Sequence, residues 1–316
     1  MGAYGTEISR EIRLIDMSNF DARRDIIREE LWSAATEIGF FQLVNHSITE
    51  KEIDDAFARS KQFFDLPQET KQKYPIDGNA GYEFMSQVRP STGTKDRKES
   101  YQITTSKMEG KWPEEELPEF KAECVDFSHK CLKLGMQVLS CFAEKLGFPL
   151  DFFTKAHNCD RETYQSTLRL IHYLAMTEDE VDPNVWRAGA HTDFDVLTLL
   201  FQRDGQGGLQ VCPGRDFQGQ QWTSVVPSNY TITCNIGDML MRWSDDLLPS
   251  NFHRVRSPRV DEYLGSRYSI AFFCQADEDV ILQGPLKKYK PITAKDYIHQ
   301  RIEANYKSLQ QQKLVA

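Results

Sequence analysis

No stretch of the 316-residue chain approaches the about 18–20 consecutive apolar residues that a membrane-spanning helix needs, so a membrane protein is not expected. The first ten residues, M-G-A-Y-G-T-E-I-S-R, lack the apolar core of a secretory signal, and a cytoplasmic location is the expectation. The seven cysteines (Cys124, Cys131, Cys141, Cys159, Cys212, Cys234 and Cys274) form no C-x-x-C pair and are odd in number. They point to reduced, mostly buried thiols rather than a disulfide framework. Positive charge is in deficit: 38 Lys and Arg against 47 Asp and Glu leave a net charge of −9. That argues against a nucleic acid or an anionic membrane as the main partner. Internal repeats and low-complexity segments are also absent. What remains, 40% hydrophobic and 27% charged, is the composition of an ordinary globular chain.

Two hydrophobic periods divide it. In the first half, Ile27, Leu31, Ala34 and Ile38 recur three and four residues apart, which predicts a helix over 21–38 stopped by Gly39. A short strand at 12–15 precedes it, and F-F-Q-L-V-N-H (40–46) follows as a buried strand. Thr49 and Glu52 form a capping box that opens a helix with Ile53, Phe57 and Phe64 on its apolar face. A long helix over 118–146 carries Leu132, Met136, Leu139, Ala143 and Leu146 on one stripe. Between these helices the pattern dissolves over 74–105, which reads as loop or short edge strand. Tyr82, Met85 and Arg89 lie there as candidate substrate contacts. Arg89, Lys95, Arg97 and Lys98 form either a solvated face or a surface that meets an acid such as an amino acid.

Beyond about residue 163 the period becomes two and the segments shorten. Strands are predicted at 166–174, 189–193, 197–201, 209–212, 222–225, 231–236, 239–243, 252–255 and 268–274, separated by Gly, Pro and Asp turn signals. A final helix is expected over 293–306. Helices first and a β-core last make this an α+β chain, with a sandwich or barrel at its centre.

Within that core lies R-A-G-A-H-T-D-F-D-V-L-T-L-L-F, residues 187–201. On a strand, His191 and Asp193 would share one face. Such a triplet is common by chance, and a hydrogen-bonded pair explains it as well as a metal does. His253, in N-F-H-R-V-R-S, can supply a third ligand if distant strands lie side by side as in a Greek key. The three then make the facial triad of a non-haem Fe(II) oxygenase, with coordination positions left open. Arg267 and Ser269 share a face of the strand R-Y-S-I-A-F-F, and a guanidinium fork beside a hydroxyl suits a carboxylate. In company with the triad it is the expected anchor for 2-oxoglutarate.

In sequence order, G-F-F-Q-L-V-N-H (39–46), K-E-S-Y (98–101), L-R-L-I-H-Y (168–173), H-T-D (191–193), G-G-L-Q-V (207–211), N-I-G-D (235–238), H-R-V (253–255) and R-Y-S (267–269) run through most of the chain. Together they resemble the iron(II)- and 2-oxoglutarate-dependent oxygenases of the isopenicillin N synthase-like group. The resemblance implies a double-stranded β-helix, or jelly-roll, core with flanking N-terminal helices and a C-terminal helix. The N-terminal helical region would span 1–160, the catalytic core 161–285 and the last helix 286–316, as one structural unit. It implies Fe(II) bound by His191, Asp193 and His253, and 2-oxoglutarate held by Arg267 and Ser269 with Tyr173 near its chelating end or near the substrate. O2 would be the oxidant. A small metabolite, with or without a carboxylate of its own, would be hydroxylated, desaturated or cyclised, with succinate and CO2 as co-products, and Phe194, Phe273 and the 81–89 loop would line its pocket. Asn235 and His46 are expected to serve turns and packing, and His129, His157, His172 and His299 have no ligand-like context.

Two features keep alternatives open. Ile171-His172-Tyr173-Leu174 stands where many plant members read N-Y-Y-P, so an asparagine that can assist the co-substrate is missing. Arg-x-Ser is also shared by isopenicillin N synthase, which uses no 2-oxoglutarate and grips its substrate carboxylate instead. An Fe(II) oxidase independent of 2-oxoglutarate is therefore one alternative, and a non-catalytic jelly-roll binding protein is another. Oligomeric state has no signature in the sequence.

Overall fold

The structure, a computed structural model, describes residues 5–89, 91–182 and 186–315. Strands β1 (Thr6–Glu7) and β2 (Leu14–Asp16) precede helix α1 (Phe20–Glu37), which leads into β3 (Phe40–Val44). Helix α2 (Glu50–Phe64) and the single turn α3 (Gln68–Lys71) are followed by β4 (Gly81–Phe84) and β5 (Lys98–Ile103). The long α4 (Phe120–Lys145) and the short α5 (Phe152–Lys155) close the first half. The second half runs β6 (Thr167–Tyr173), β7 (Trp186–His191), β8 (Leu197–Phe201), β9 (Leu209–Cys212), β10 (Gln221–Ser224) and β11 (Ile232–Ile236). Helix α6 (Asp238–Trp243), β12 (Phe252–Arg256), β13 (Arg267–Cys274), the hairpin strands β14 (Ile281–Leu282) and β15 (Ile292–Thr293), and α7 (Ala294–Val315) complete the chain.

The helices form for the reasons their sequences give. Ile27, Leu31 and Ala34 are buried along α1, and the chain leaves the helix through Gly39 at φ +74°. A Cβ at Gly39 would lie 2.1 Å from Asn251 Nδ2, so both the turn and the close approach require glycine there. The capping box at α2 is complete: Thr49 Oγ1 accepts from Glu52 N, and Thr49 N donates to Glu52 Oε2 at 2.7 Å. Helix α4 lies so close to the sheet that a Cβ at Gly135 would come within 2.6 Å of Cys274 Sγ.

Two sheets face each other as a jelly roll. One has eight strands in the order β2-β3-β11-β8-β13-β6-β5-β4, the other five in the order β1-β10-β9-β12-β7. The larger hydrophobic core, which includes Ile27, Phe63, Phe142, Leu199 and Phe272, joins the helices to the eight-stranded sheet. A smaller core lies between the sheets, with Phe40, Ile171 and Ala271 from one and Ala188, Val211 and Val255 from the other. The first 160 residues contribute more than helices, because β2 to β5 hydrogen-bond directly into the eight-stranded sheet. All seven cysteines are free, and only Cys159 is not buried. Among the described residues, no helix is long and apolar enough to cross a membrane.

Three sequence expectations fail. Residues 239–243 form part of helix α6 rather than a strand, because an apolar run this short carries no readable period. Gly237 caps that helix, with Met241 N donating to Gly237 O at 3.1 Å. Lys98–Ile103, read as loop or edge, is a strand buried at all six positions. Its polar side chains are satisfied inside: Ser100 Oγ donates to Glu83 at 2.6 Å and Lys71 Nζ reaches Glu99 at 2.8 Å. The strand through His191 also stops there, so Asp193 lies in the following loop instead of sharing its face.

Candidate active site

Strands β7 and β12 run antiparallel with His191 directly opposite His253. Residues so paired have Cβ atoms about 5 Å apart, and the two ring centroids are 4.3 Å from each other. Asp193 reaches the pair from the loop, which is fixed by Asp238 N donating to the Asp193 carbonyl at 2.8 Å. Asp193 Oδ1 stands 3.8 Å from His191 Nε2 and 3.6 Å from His253 Nε2. One ligand atom from each of the three residues lies within 4.8 Å of the others. Two imidazoles and one carboxylate on one side of an open space are a donor set for a divalent first-row metal.

The surroundings prepare each donor. His191 Nδ1 is 2.7 Å from the Gly189 carbonyl, which makes it the protonated nitrogen and leaves the lone pair on Nε2. Burial, with Arg89 and His253 nearby, holds the His191 pKa well below the usual imidazole value, so the ring is neutral. At Asp193 burial alone would raise the pKa, yet His253, the Asn235 amide and the Thr198 hydroxyl outweigh it and keep the carboxylate ionised. Asn235 Nδ2 at 2.9 Å and Thr198 Oγ1 at 2.7 Å both donate to Oδ2, turning Oδ1 toward the imidazoles. Thr198 Oγ1 also lies 2.9 Å from Asp195 Oδ2. Burial and Asp193 push the Asp195 carboxyl well above the usual range, so the protonated Asp195 can donate a hydrogen bond to Thr198 Oγ1 while Thr198 donates to Asp193. The donor set therefore fits a metal ion on the chemistry of its own hydrogen bonds.

Arg267 lies on the facing sheet, 1% exposed. Its Nε donates to the Gln206 carbonyl at 2.8 Å, Nη2 to Gln202 Oε1 at 3.0 Å and Nη1 to Ser269 Oγ at 3.5 Å. Tyr173, its register partner on β6, lies beneath the guanidinium, with the ring centroid 4.7 Å away. Burial pulls its pKa down, but an arginine still keeps its charge. Every partner is neutral, and among the described residues no carboxylate forms an ion pair with it. A buried cation in that state is costly until an anion arrives. The anchor thus fits a carboxylate brought by a ligand.

Between the sheets a cavity of about 250 Å³ takes in His191, Asp193, His253, Arg267, Ser269 and Tyr173. Phe194, Phe273 and Arg89 line it too, as the sequence suggested. Tyr82 and Met85 do not. Tyr82 points to the helical side of the sheet, where it packs on Phe63 and its hydroxyl donates to Glu99 and lies 3.0 Å from Gln68 Oε1. Met85 sits in the turn after β4 at φ +45°. The cavity also receives Lys98, one of the cations the sequence offered to an acid, together with Asn235 and Arg169, which no spacing argument singled out, although all three fall inside the motifs quoted above. Asn235 serves the metal-facing carboxylate in addition to packing. Helix α7 closes the mouth: Asn305 lines the cavity, and Arg301 sits 5.4 Å over the Phe194 ring while pairing with Asp238 at 2.6 Å. The other histidines lie elsewhere. His172, for example, bonds Glu99 at 2.7 Å and Ser266 at 2.9 Å on the helical side.

Comparison with known proteins adds independent findings. Residues 164–276 match the family model of the 2OG-Fe(II) oxygenase superfamily, and 12–121 that of the non-haem dioxygenase in morphine synthesis N-terminal region. A UPF0676 protein of Schizosaccharomyces pombe is 35% identical over 94% of this chain and 94% of its own. Proline hydroxylase buaE of Petromyces alliaceus is 34% identical over 85% of this chain and 89% of its own. A full-length Neurospora crassa protein crystallised with alpha-KG and thymine superposes with a TM-score of 0.79 at 30% identity, covering 93% of this chain and 96% of that one.

Proposed function

The chain belongs to the 2OG-Fe(II) oxygenase superfamily, and from that premise we propose that it oxidises a C–H bond of a small molecule held beside His191, Asp193 and His253. 2-Oxoglutarate and O2 are consumed, and succinate and CO2 released. The observation that carries this reading is Arg267, a buried guanidinium with only neutral partners in the same cavity as the three donors. Fe(II), when bound, supplies the O2 and one-electron chemistry that side chains lack.

The protein's part is to bind, orient and shield. His191, Asp193 and His253 hold the metal from one side and leave the cavity side open. Arg267 and Ser269 take the distal carboxylate of 2-oxoglutarate, and Tyr173 supports the guanidinium from below. Phe194 and Phe273 present ring surface that keeps water away from the reacting carbon. Whether the product is hydroxylated, desaturated or cyclised then depends on how the substrate is seated against these walls.

Two relatives support a compact substrate. One carries proline in its name and the other was crystallised with thymine, both single small rings. The cavity, about 250 Å³, lies just below the about 300–1,000 Å³ of ordinary ligand pockets. Seven free thiols support a cytoplasmic location. Relatives named 2-oxoglutarate-dependent dioxygenases weigh against the oxidase and non-catalytic alternatives.

The test is spectroscopic and chemical together. Anaerobic addition of 2-oxoglutarate to the Fe(II)-loaded protein should produce a visible charge-transfer band, and admitting O2 should yield succinate. A protein that gives neither, while binding Fe(II), is not a 2-oxoglutarate oxygenase.

A further inference from the structure

We propose that the cavity holds a second carboxylate-binding subsite, centred on Arg169 and flanked by Arg89 and Lys98, and that the oxidised substrate is a small monocarboxylate. The inference rests on the reading above, which fills the metal and Arg267 positions, and it names the substrate class for the space that is left.

Arg169 and Arg267 stand on paired strands of one sheet and line the same cavity. Arg267 pairs with Tyr173 and Ala271 pairs with Arg169, so the two arginine backbones lie about 13 Å apart along the strands. Arg267 turns over Tyr173, directly opposite, while Arg169 turns over Phe273, further from Arg267 than its own partner Ala271, so the two side chains do not converge on one carboxylate. Arg169 donates through Nη2 to Gln102 Oε1 at 2.7 Å and lies 5.0 Å over the Phe273 ring. Its buried Nε has no partner.

The acids on this wall are already engaged. Asp96, 1% exposed, takes Arg89 Nε at 2.9 Å, Lys98 Nζ at 3.3 Å and the Gly189 N–H at 3.0 Å. Glu83 accepts from Ser86, Gln87 and Ser100 at 2.6 Å each and from Gln102 at 3.2 Å. Among the described residues, no carboxylate lies within ion-pair distance of Arg169. Against these three cations stand two carboxylates: Asp96, and Glu83, which Arg169 and Lys98 help keep ionised from beyond ion-pair distance. A single negative charge completes the set. A planar monoanion offers the guanidinium fork two parallel acceptors, and a phosphate dianion would overshoot the one missing charge. Phe273 supplies ring surface to the carbon skeleton behind that carboxylate.

The test uses the full-length protein loaded with Mn(II) and saturated with 2-oxoglutarate, so that Arg267 is occupied. Proton relaxation of added acetate and of acetamide, its neutral counterpart, reports binding beside the metal. Acetate should show a saturable enhancement that acetamide lacks. Arg169→Met should weaken acetate binding about tenfold or more, with the relaxation of 2-oxoglutarate itself unchanged. Equal behaviour of acetate and acetamide in the unmodified protein would overturn the proposal, and that comparison needs no variant. So would full acetate affinity in Arg169→Met, or thymine bound in the same position without dependence on Arg169. Loss of the 2-oxoglutarate enhancement in the unmodified protein has a different signature: it removes the co-substrate reading first, and this proposal with it.

Discussion

Asn235 donates its side-chain amide to Asp193 Oδ2 at 2.9 Å, on the side of the carboxylate turned away from both imidazoles. The asparagine sits on β11, in the sheet opposite the two histidines, so one hydrogen bond ties the metal-facing loop to the far wall of the jelly roll. Asn235→Ala is expected to leave the fold intact and to weaken Mn(II) binding roughly tenfold to a hundredfold, the usual effect of removing a group that orients a ligand. Calorimetric titration of the metal-free protein measures it. An unchanged affinity would mean that Thr198 alone orients Asp193.

Arg267→Met should separate binding from stability. Loss of a charge-assisted contact predicts about a hundredfold weaker 2-oxoglutarate binding. Without 2-oxoglutarate, the variant should melt no lower than the unmodified protein, because an unpaired buried cation has been replaced by an apolar chain. Anaerobic titration and thermal melting give the two numbers. A variant that melts well below the parent would show that Gln202 and Gln206 stabilise the cation more than its burial costs.

His157 makes stability depend on pH outside the active site. It is 2% exposed, its Nδ1 meets the Phe153 carbonyl at 2.7 Å, and burial lowers its pKa to about 4. The unfolded chain takes up a proton near the ordinary imidazole value and the folded chain does not. The contribution is therefore neutral above about pH 6.5, and stability falls as pH drops from there toward 4, by at most about 3 kcal/mol. His157→Gln should flatten that part of a denaturation profile measured between pH 7.5 and 4.5. An equally steep profile would assign the slope to His46 or His191, whose pKa values are also depressed.

Tyr82 should matter to folding and not to catalysis. Tyr82→Phe removes a hydroxyl buried against Glu99 and Gln68, at a cost of about 1–2 kcal/mol. Succinate yield per 2-oxoglutarate consumed, and KM for 2-oxoglutarate, should not move. A shift in either would mean that the network of Glu99, Lys71 and His172 communicates through β5 to Lys98 in the cavity.

The legible parts of the sequence were those where local chemistry decides. Thr49 and Glu52 cap a helix by their own side chains, Gly39 ends one because only glycine fits, and His191 and His253 meet because strand pairing brings them opposite. Arg267 and Ser269 share a face by strand period and were found together in the cavity. The illegible parts depend on partners distant in sequence. Lys98–Ile103 looked solvated because Glu99 is paired by Lys71 and hydrogen-bonded by His172, 28 and 73 residues away, neither of which a window on that strand reveals. Arg169 looked like one residue in a hydrophobic strand, and its unpaired state is visible only once Glu83 and Gln102 are in place. Asp193 was assigned to a strand that had already ended, yet it reached the same position from a loop fastened by Asp238.

The order β2-β3-β11-β8-β13-β6-β5-β4 places strands from the first half of the chain at both margins of the eight-stranded sheet and strands from the second half in its middle. Cutting the chain near residue 160 would therefore strip β11 and β6 of their neighbours at once, baring two rows of backbone donors and acceptors. The half that carries the metal-facing residues is not a portable module. Any shuffling, truncation or split-protein design has to carry the amino-terminal strands with it, or supply substitutes in the same register along Gln42–Thr233 and Ser100–Ile171.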